Sequence, residues 1–188
     1  MAKYILASAS PRRKRLLEWA EIDFEIIVEH THESYPSGLL PEEVAVYIAL
    51  EKAKAVSATR DSNKTIIGAD TIVVLNNEII GKPKNREDAI SILQKLSGKI
   101  HQVITGVAIL AKAKEQCFSD ITEVEFHSLS QQDIEFYIDK YKPYDKAGAY
   151  AIQEWIGVIG IKRINGDFYN VMGLPVSKVV QALKNASM

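Results

Sequence analysis

Apolar and polar positions change rhythm repeatedly along the chain, and each change marks an element. Tyr4-Ile5-Leu6-Ala7 is a short apolar run of the kind that forms a buried strand. Pro11 then suits the first turn of a helix, where its missing N–H costs nothing, and Ser10 before it is a natural N-cap. Leu16, Leu17 and Ala20 give that helix one apolar face. Residues 24–28 read as strand, followed by a polar loop that Pro36 and Gly38 close. A second helix opens at Pro41-Glu42-Glu43, with acids at the end the dipole favours. It runs to about Ala58 with Val44, Ile48 and Ala55 inward. Residues 65–67 and 72–75 read as two strands, separated by Gly68-Ala69-Asp70-Thr71 with a small, flexible Gly-Ala pair. Asn76-Asn77 is a hairpin turn that returns Glu78-Ile79-Ile80, and so Lys82, toward Asp70.

The second half continues in the same mixed manner. Residues 86–96 form a helix with Ala89, Ile90 and Leu93 inward and Ser97-Gly98 as its stop. Residues 103–110 and 122–126 are strand-like, joined across a polar, Lys-rich segment at 112–120. Ser130-Gln131-Gln132-Asp133 starts a helix with Ile134, Tyr137 and Ile138 inward. Residues 156–164 read as strand turned by the hairpin signal Asn165-Gly166, and residues 176–183 as the last helix. No internal repeat, low-complexity tract or linker interrupts the pattern. The fold class is therefore mixed α/β.

Composition narrows the class of function. At 188 residues the chain can bury one sizeable core. A net charge of −1 gives no global attraction to nucleic acid or membrane, so any basic cluster is local. No apolar stretch approaches the ~20 residues that a membrane span needs. Charges from Arg12 onward interrupt any signal-peptide core. Lone Cys117 excludes an internal disulfide, which suits a reducing cytoplasm, and its setting reads as structural rather than nucleophilic.

The chemistry concentrates at two places. Arg12-Arg13-Lys14-Arg15 put cations at a helix N-terminus, which already carries partial positive charge. A bound anion resolves that conflict. The hydroxyls of Ser8 and Ser10, the guanidinium forks and the first N–H groups together suit phosphate. The plainer alternative is a solvated basic face. At the second place, Asp70 lies between apolar strands, where a carboxylate is costly unless something pairs with it or uses it; a turn aspartate is the alternative. Lys52 and Lys54, read alone, are surface residues of their helix. His30 and His32 lie beside Glu33 without a convincing third ligand, so zinc is not expected, and Glu33 stays as an acid for a labile magnesium ion. The segment Asp145-Lys146-Ala147-Gly148-Ala149-Tyr150-Ala151-Ile152-Gln153 is rich in small residues that allow close approach.

Five stretches in order, Ser8-Ala9-Ser10-Pro11-Arg12-Arg13, Gly68-Ala69-Asp70-Thr71, Gly81-Lys82-Pro83, Asp145-Lys146-Ala147-Gly148-Ala149-Tyr150 and Gly173-Leu174-Pro175, resemble the Maf family of nucleoside triphosphate pyrophosphatases, also labelled septum formation inhibitors. The resemblance runs from Tyr4 to Leu183. It implies one bilobed domain over residues 1–188, with an elongated mixed sheet flanked by helices, two lobes around a central cleft, related to inosine-triphosphatase-like proteins. It also implies hydrolysis of dTTP and UTP, or modified pyrimidine triphosphates, to the monophosphate and pyrophosphate, with Mg²⁺ or Mn²⁺ as cofactor. Asp70 matches the catalytic acid, and Ser8, Arg13, Glu33, Lys52 and Lys82 match the other site positions. Arg12, Thr71 and Gln153 match the specificity positions of the dTTP/UTP branch. Metal would fall to Glu33 and Asp70. After Gln153 the family continues with glycines, whereas here Glu154-Trp155-Ile156 precede Gly157. The expected partner is a small-molecule nucleotide, and a homodimer is left open. The rival reading is a non-catalytic regulator of cell division that binds nucleotide or DNA through residues 12–15. The net charge and the lack of aromatic residues within that run speak against it.

Overall fold

A computed structural model describes residues 3–59, 64–112 and 114–186. Its elements are β1 (Tyr4–Leu6), α1 (Pro11–Trp19), β2 (Phe24–Ile26), α2 (Pro41–Thr59), β3 (Thr65–Leu75), β4 (Glu78–Ile80), α3 (Arg86–Leu96), β5 (Ile100–Ala111), β6 (Lys114–Phe126), α4 (Gln131–Tyr141), a 3₁₀ turn (Ala147–Ala149), α5 (Trp155–Gly160), β7 (Ile161–Asn165), α6 (Phe168–Met172) and α7 (Val176–Ala186). The strands form one seven-stranded mixed sheet flanked by helices, in the order β2-β1-β3-β5-β6-β7, with β4 paired to β3. β1 runs parallel to both β2 and β3, whereas β4 returns antiparallel to β3 with Val73 opposite Ile80. Both turn residues, Asn76 and Asn77, have positive φ, as the tight hairpin requires.

The chain gathers into two compact units. The first takes residues 1–71, 105–120 and 173–188, the second residues 72–104 and 121–172. In the first, Ile5, Ala7, Ala49, Ala53, Val56, Ile66 and Ala108 form a continuous core. In the second, Leu93, Leu96, Ile104, Phe126, Ile134 and Tyr137 are fully buried. Among the described residues no helix is long and apolar enough to cross a membrane.

Several elements differ from their sequence reading. Residues 65–67 and 72–75 are one strand, β3, and Asp70 lies within it rather than at a break. Most of the Lys-rich segment is not a loop: residues 114–120 are the first half of β6. β7 pairs with Glu123–Phe126, and the polar start of β6 is exposed. Residues 155–160 are helical, not extended: Ile156 and Gly160, four apart, are buried, while Val158 and Ile159 face out. That spacing is a helical stripe hidden in an all-apolar run. Asn165-Gly166 ends β7 without starting another strand. The Asp167 side chain accepts the Tyr169 N–H and starts α6 instead. The inward face of α2 is Val44, Ala45, Ile48, Ala49, Ala53 and Val56, with Ala55 only half-buried. On α3, Ile92 and Leu96 are buried and Ile90 is half-buried.

Candidate active site

The site of the first unit begins with small residues. Ala45, Ala49 and Ala53 repeat every four residues and so line one stripe of α2. Opposite them stand glycines with no room for a side chain. A Cβ on Gly68 would lie 2.2 Å from the Ala49 carbonyl oxygen, and one on Gly106 would lie 2.2 Å from the Ala45 carbonyl carbon. The helix therefore rests on bare strand backbone. This seating brings Lys52, one residue before Ala53, to Asp70, two residues after Gly68. Lys52 Nζ donates to Asp70 Oδ1 at 2.6 Å and to Glu33 Oε1 at 3.0 Å. The Asp70 and Lys52 side chains are mostly buried, and Glu33 is about half exposed. Lys52 is thus not a surface lysine, whereas Lys54 is exposed and lies 3.9 Å from Glu115.

The second cluster forms where β1 feeds α1. Ser10 caps the helix, its hydroxyl accepting the Arg13 N–H at 3.4 Å, and Pro11 occupies the first turn as expected. Arg13 then turns inward and is buried. Its Nε donates to the Gly173 carbonyl at 2.8 Å, Nη1 to Ser8 Oγ at 2.9 Å and Nη2 to Thr71 Oγ1 at 2.9 Å. Ser8 Oγ also accepts the Ser10 N–H at 3.3 Å. Thr71 shares a further hydrogen bond with buried Thr105 at 2.9 Å. Burial lowers the Arg13 pKa from its ordinary value. Asp70 and Glu33 oppose that through space, and neighbouring Arg12 adds to it. Its three acceptors are neutral, so among the described residues no directly bonded carboxylate cancels the positive potential of the guanidinium. Gly173 holds φ +121°, a conformation that L side chains rarely adopt, so its motif position is a backbone requirement.

The structure thus brings Ser8, Ser10, Arg13 and Thr71 into one network, and Glu33, Lys52 and Asp70 into another. The adjacent residues Asp70 and Thr71 belong to one each. Arg12 is half-buried on α1. Lys82 and Gln153 belong to the second unit, where both are exposed. Sequence reasoning missed Thr105, whose only signal was a hydroxyl beside Gly106 in an apolar strand. It also passed over the Gly173 carbonyl, although the surrounding motif was noticed.

Two carboxylates converging on one ammonium define a point where oxygen ligands meet. A magnesium-type ion is commonly held by one or two carboxylates plus substrate phosphate oxygens, and Glu33 with Asp70 matches that donor set. His30 and His32 pack ring edge to face at 5.4 Å. Cys117 is exposed, and partial burial with nearby Glu115 pushes its thiol pKa up, which disfavours the thiolate.

A family model described as Maf-like protein matches residues 3–186. A protein of Parabacteroides distasonis named dTTP/UTP pyrophosphatase is 51% identical over 184 residues, covering 97% of this chain and 95% of its own. A Cytophaga hutchinsonii protein of the same name is 53% identical over 180 residues, covering 96% of this chain and 82% of its own. Among solved structures, the Staphylococcus aureus Ham1 protein aligns with a TM-score of 0.52 at 19% identity, covering 98% of this chain and 99% of its own. That likeness concerns the fold alone.

Proposed function

Since the chain belongs to the Maf-like protein family, we propose that it is a nucleoside triphosphate pyrophosphatase acting on dTTP and UTP. The proposed reaction releases the monophosphate and pyrophosphate. The observation that carries this reading is the paired arrangement of Asp70 and Lys52 beside the buried Arg13 network. A triphosphate needs cations around its oxygens and a base near the attacked phosphorus, and this unit supplies both. Lys52 holds Oδ1 of Asp70, so Oδ2 is the oxygen that takes the proton from an attacking water. Three of the five guanidinium N–H donors of Arg13 are engaged, which leaves two to meet phosphate oxygen. Ser8 and Ser10 act beside it through their hydroxyl protons, and Lys52, while holding Asp70 Oδ1, adds positive charge for the phosphate oxygens.

Glu33 and Asp70 would hold a divalent cation, Mg²⁺ or Mn²⁺, which when bound neutralises and aligns phosphate oxygens. Lys82 is proposed as a further phosphate contact, with Arg12, Thr71 and Gln153 setting base preference. These roles are supported by the motif match in the sequence. Gln153 offers both a donor and an acceptor and Arg12 offers donors, which suits the two carbonyls and one N–H of a uracil or thymine ring. Work in the cytoplasm on nucleotide pools, including modified pyrimidines, fits the same reading. The test is pyrophosphate release from dTTP, UTP, CTP, ATP and GTP, with and without Mg²⁺. Release led by dTTP and UTP supports the proposal. GTP used equally well overturns the substrate assignment, and absence of any release overturns the enzyme.

A further inference from the structure

The segment that carries Gln153 is built more firmly than its exposed position suggests. Glu154 N–H donates to the Ala151 carbonyl at 3.1 Å, so residues 151–154 form a closed β-turn with Gln153 at its third position. Ile152, at the second position, is buried, and Gln153 is exposed. Both ends of the turn reach one atom. The Tyr137 hydroxyl accepts the Ala151 N–H at 3.1 Å and donates to a carboxylate oxygen of Glu154. The other Glu154 oxygen lies 3.6 Å from Nζ of buried Lys146. Tyr137 is itself fully buried on α4. From below, Gly157 of α5 leaves no gap: a Cβ there would stand 1.8 Å from the Ile152 carbonyl oxygen. A four-residue turn is therefore pinned at its start, its end and its floor, and its outward side chain is Gln153.

We infer that Tyr137 and Glu154 are positioning residues for substrate choice, fixing the backbone from which Gln153 reads the pyrimidine base. This rests on the proposed role of Gln153 in the dTTP/UTP reading. A base-reading amide discriminates only if its donor and acceptor are held in place; a loose turn lets it adapt to the wrong ring. The chemistry divides the two residues' contributions. Tyr137→Phe keeps the buried ring but removes both hydrogen bonds that close the turn onto α4. Glu154→Ala removes the acceptor and the attraction to Lys146, whereas Glu154→Gln keeps a neutral acceptor for the tyrosine hydroxyl.

The experiment is kcat and KM for dTTP, UTP and GTP on wild type, Tyr137→Phe, Glu154→Ala and Glu154→Gln. The expected result is a fall of at least about tenfold in the dTTP-to-GTP ratio of kcat/KM for Tyr137→Phe, which loses two hydrogen bonds, and for Glu154→Ala, which loses one and the attraction to Lys146. The fall should come mainly from a higher KM for the pyrimidine nucleotides, and Glu154→Gln should retain most of the selectivity. A ratio unchanged in both variants, or equal losses on all three nucleotides, overturns the inference while leaving the substrate reading intact. Wild type that prefers GTP overturns the substrate reading, and the inference with it.

Discussion

Gly68→Ala perturbs the seating of α2 on β3 without touching an ionisable group. The new Cβ would stand 2.2 Å from the Ala49 carbonyl oxygen and 2.9 Å from the Ala53 Cβ. The first of these is backbone inside a 19-residue helix, which cannot rotate away as a side chain could. The helix must retreat by about 1 Å to restore a tolerable contact. Overpacking of this kind costs about 1–3 kcal/mol. For a chain of this size that lowers Tm by roughly 2–12 °C, which calorimetry reads directly. The same shift carries Lys52 away from Asp70, and a misplacement near 1 Å costs about 10²-fold in turnover. Pyrophosphate release under saturating dTTP measures that. Gly81→Ala is the stability control, because a Cβ there meets nothing within 4 Å. A Gly68→Ala protein that melts with wild type and turns over normally would refute the account of how α2 delivers Lys52. Lost stability with normal turnover would separate the seating from the chemistry.

Asp70→Asn should fold normally and lose about 10²- to 10⁴-fold in turnover, seen by steady-state kinetics beside circular dichroism. Near-normal turnover removes Asp70 as the base. Thr71→Val should leave a buried Arg13 Nη2 donor without its acceptor and remove the hydrogen bond to Thr105, costing about 1–3 kcal/mol in urea unfolding. An unchanged midpoint would mean the network relaxes onto other acceptors. His101, buried against Tyr150 at 2.8 Å, has its pKa lowered from 6.5 to about 4 by burial. The unfolded chain therefore binds a proton between those values that the folded chain refuses. Stability is full above pH 6.5 and falls by roughly 3 kcal/mol as pH drops to 4, and His101→Gln should flatten that slope.

How far the sequence could be read follows from where information is local. The cap at Ser10, the first-turn Pro11, the Asn76-Asn77 hairpin and α3 obey rules written in neighbouring residues, and the structure agrees with them. Residues 155–160 mislead because an apolar run carries no polar face from which to count its period. Gly68 looked like flexibility in sequence, yet its purpose is contact with a helix whose Ala49 lies 19 residues earlier. Asp70 drew attention as an acid among apolar residues, and its pairing with Lys52 supplies the compensation such burial demands. Thr105 gave almost no signal, because its partner Thr71 lies 34 residues away. Sequence spacing identified the motifs but not the networks: Arg13 points inward rather than outward, and its acceptors come from three separate segments.

The most direct test is hydrolysis of dTTP in ¹⁸O-labelled water, with products separated and weighed by mass spectrometry, for wild type and Asp70→Asn. The account predicts dTMP and pyrophosphate, with the label on the dTMP phosphate because water attacks the α-phosphorus, and the same labelling at a much lower rate in the variant. Label in pyrophosphate, or dTDP and labelled phosphate as products, would contradict it.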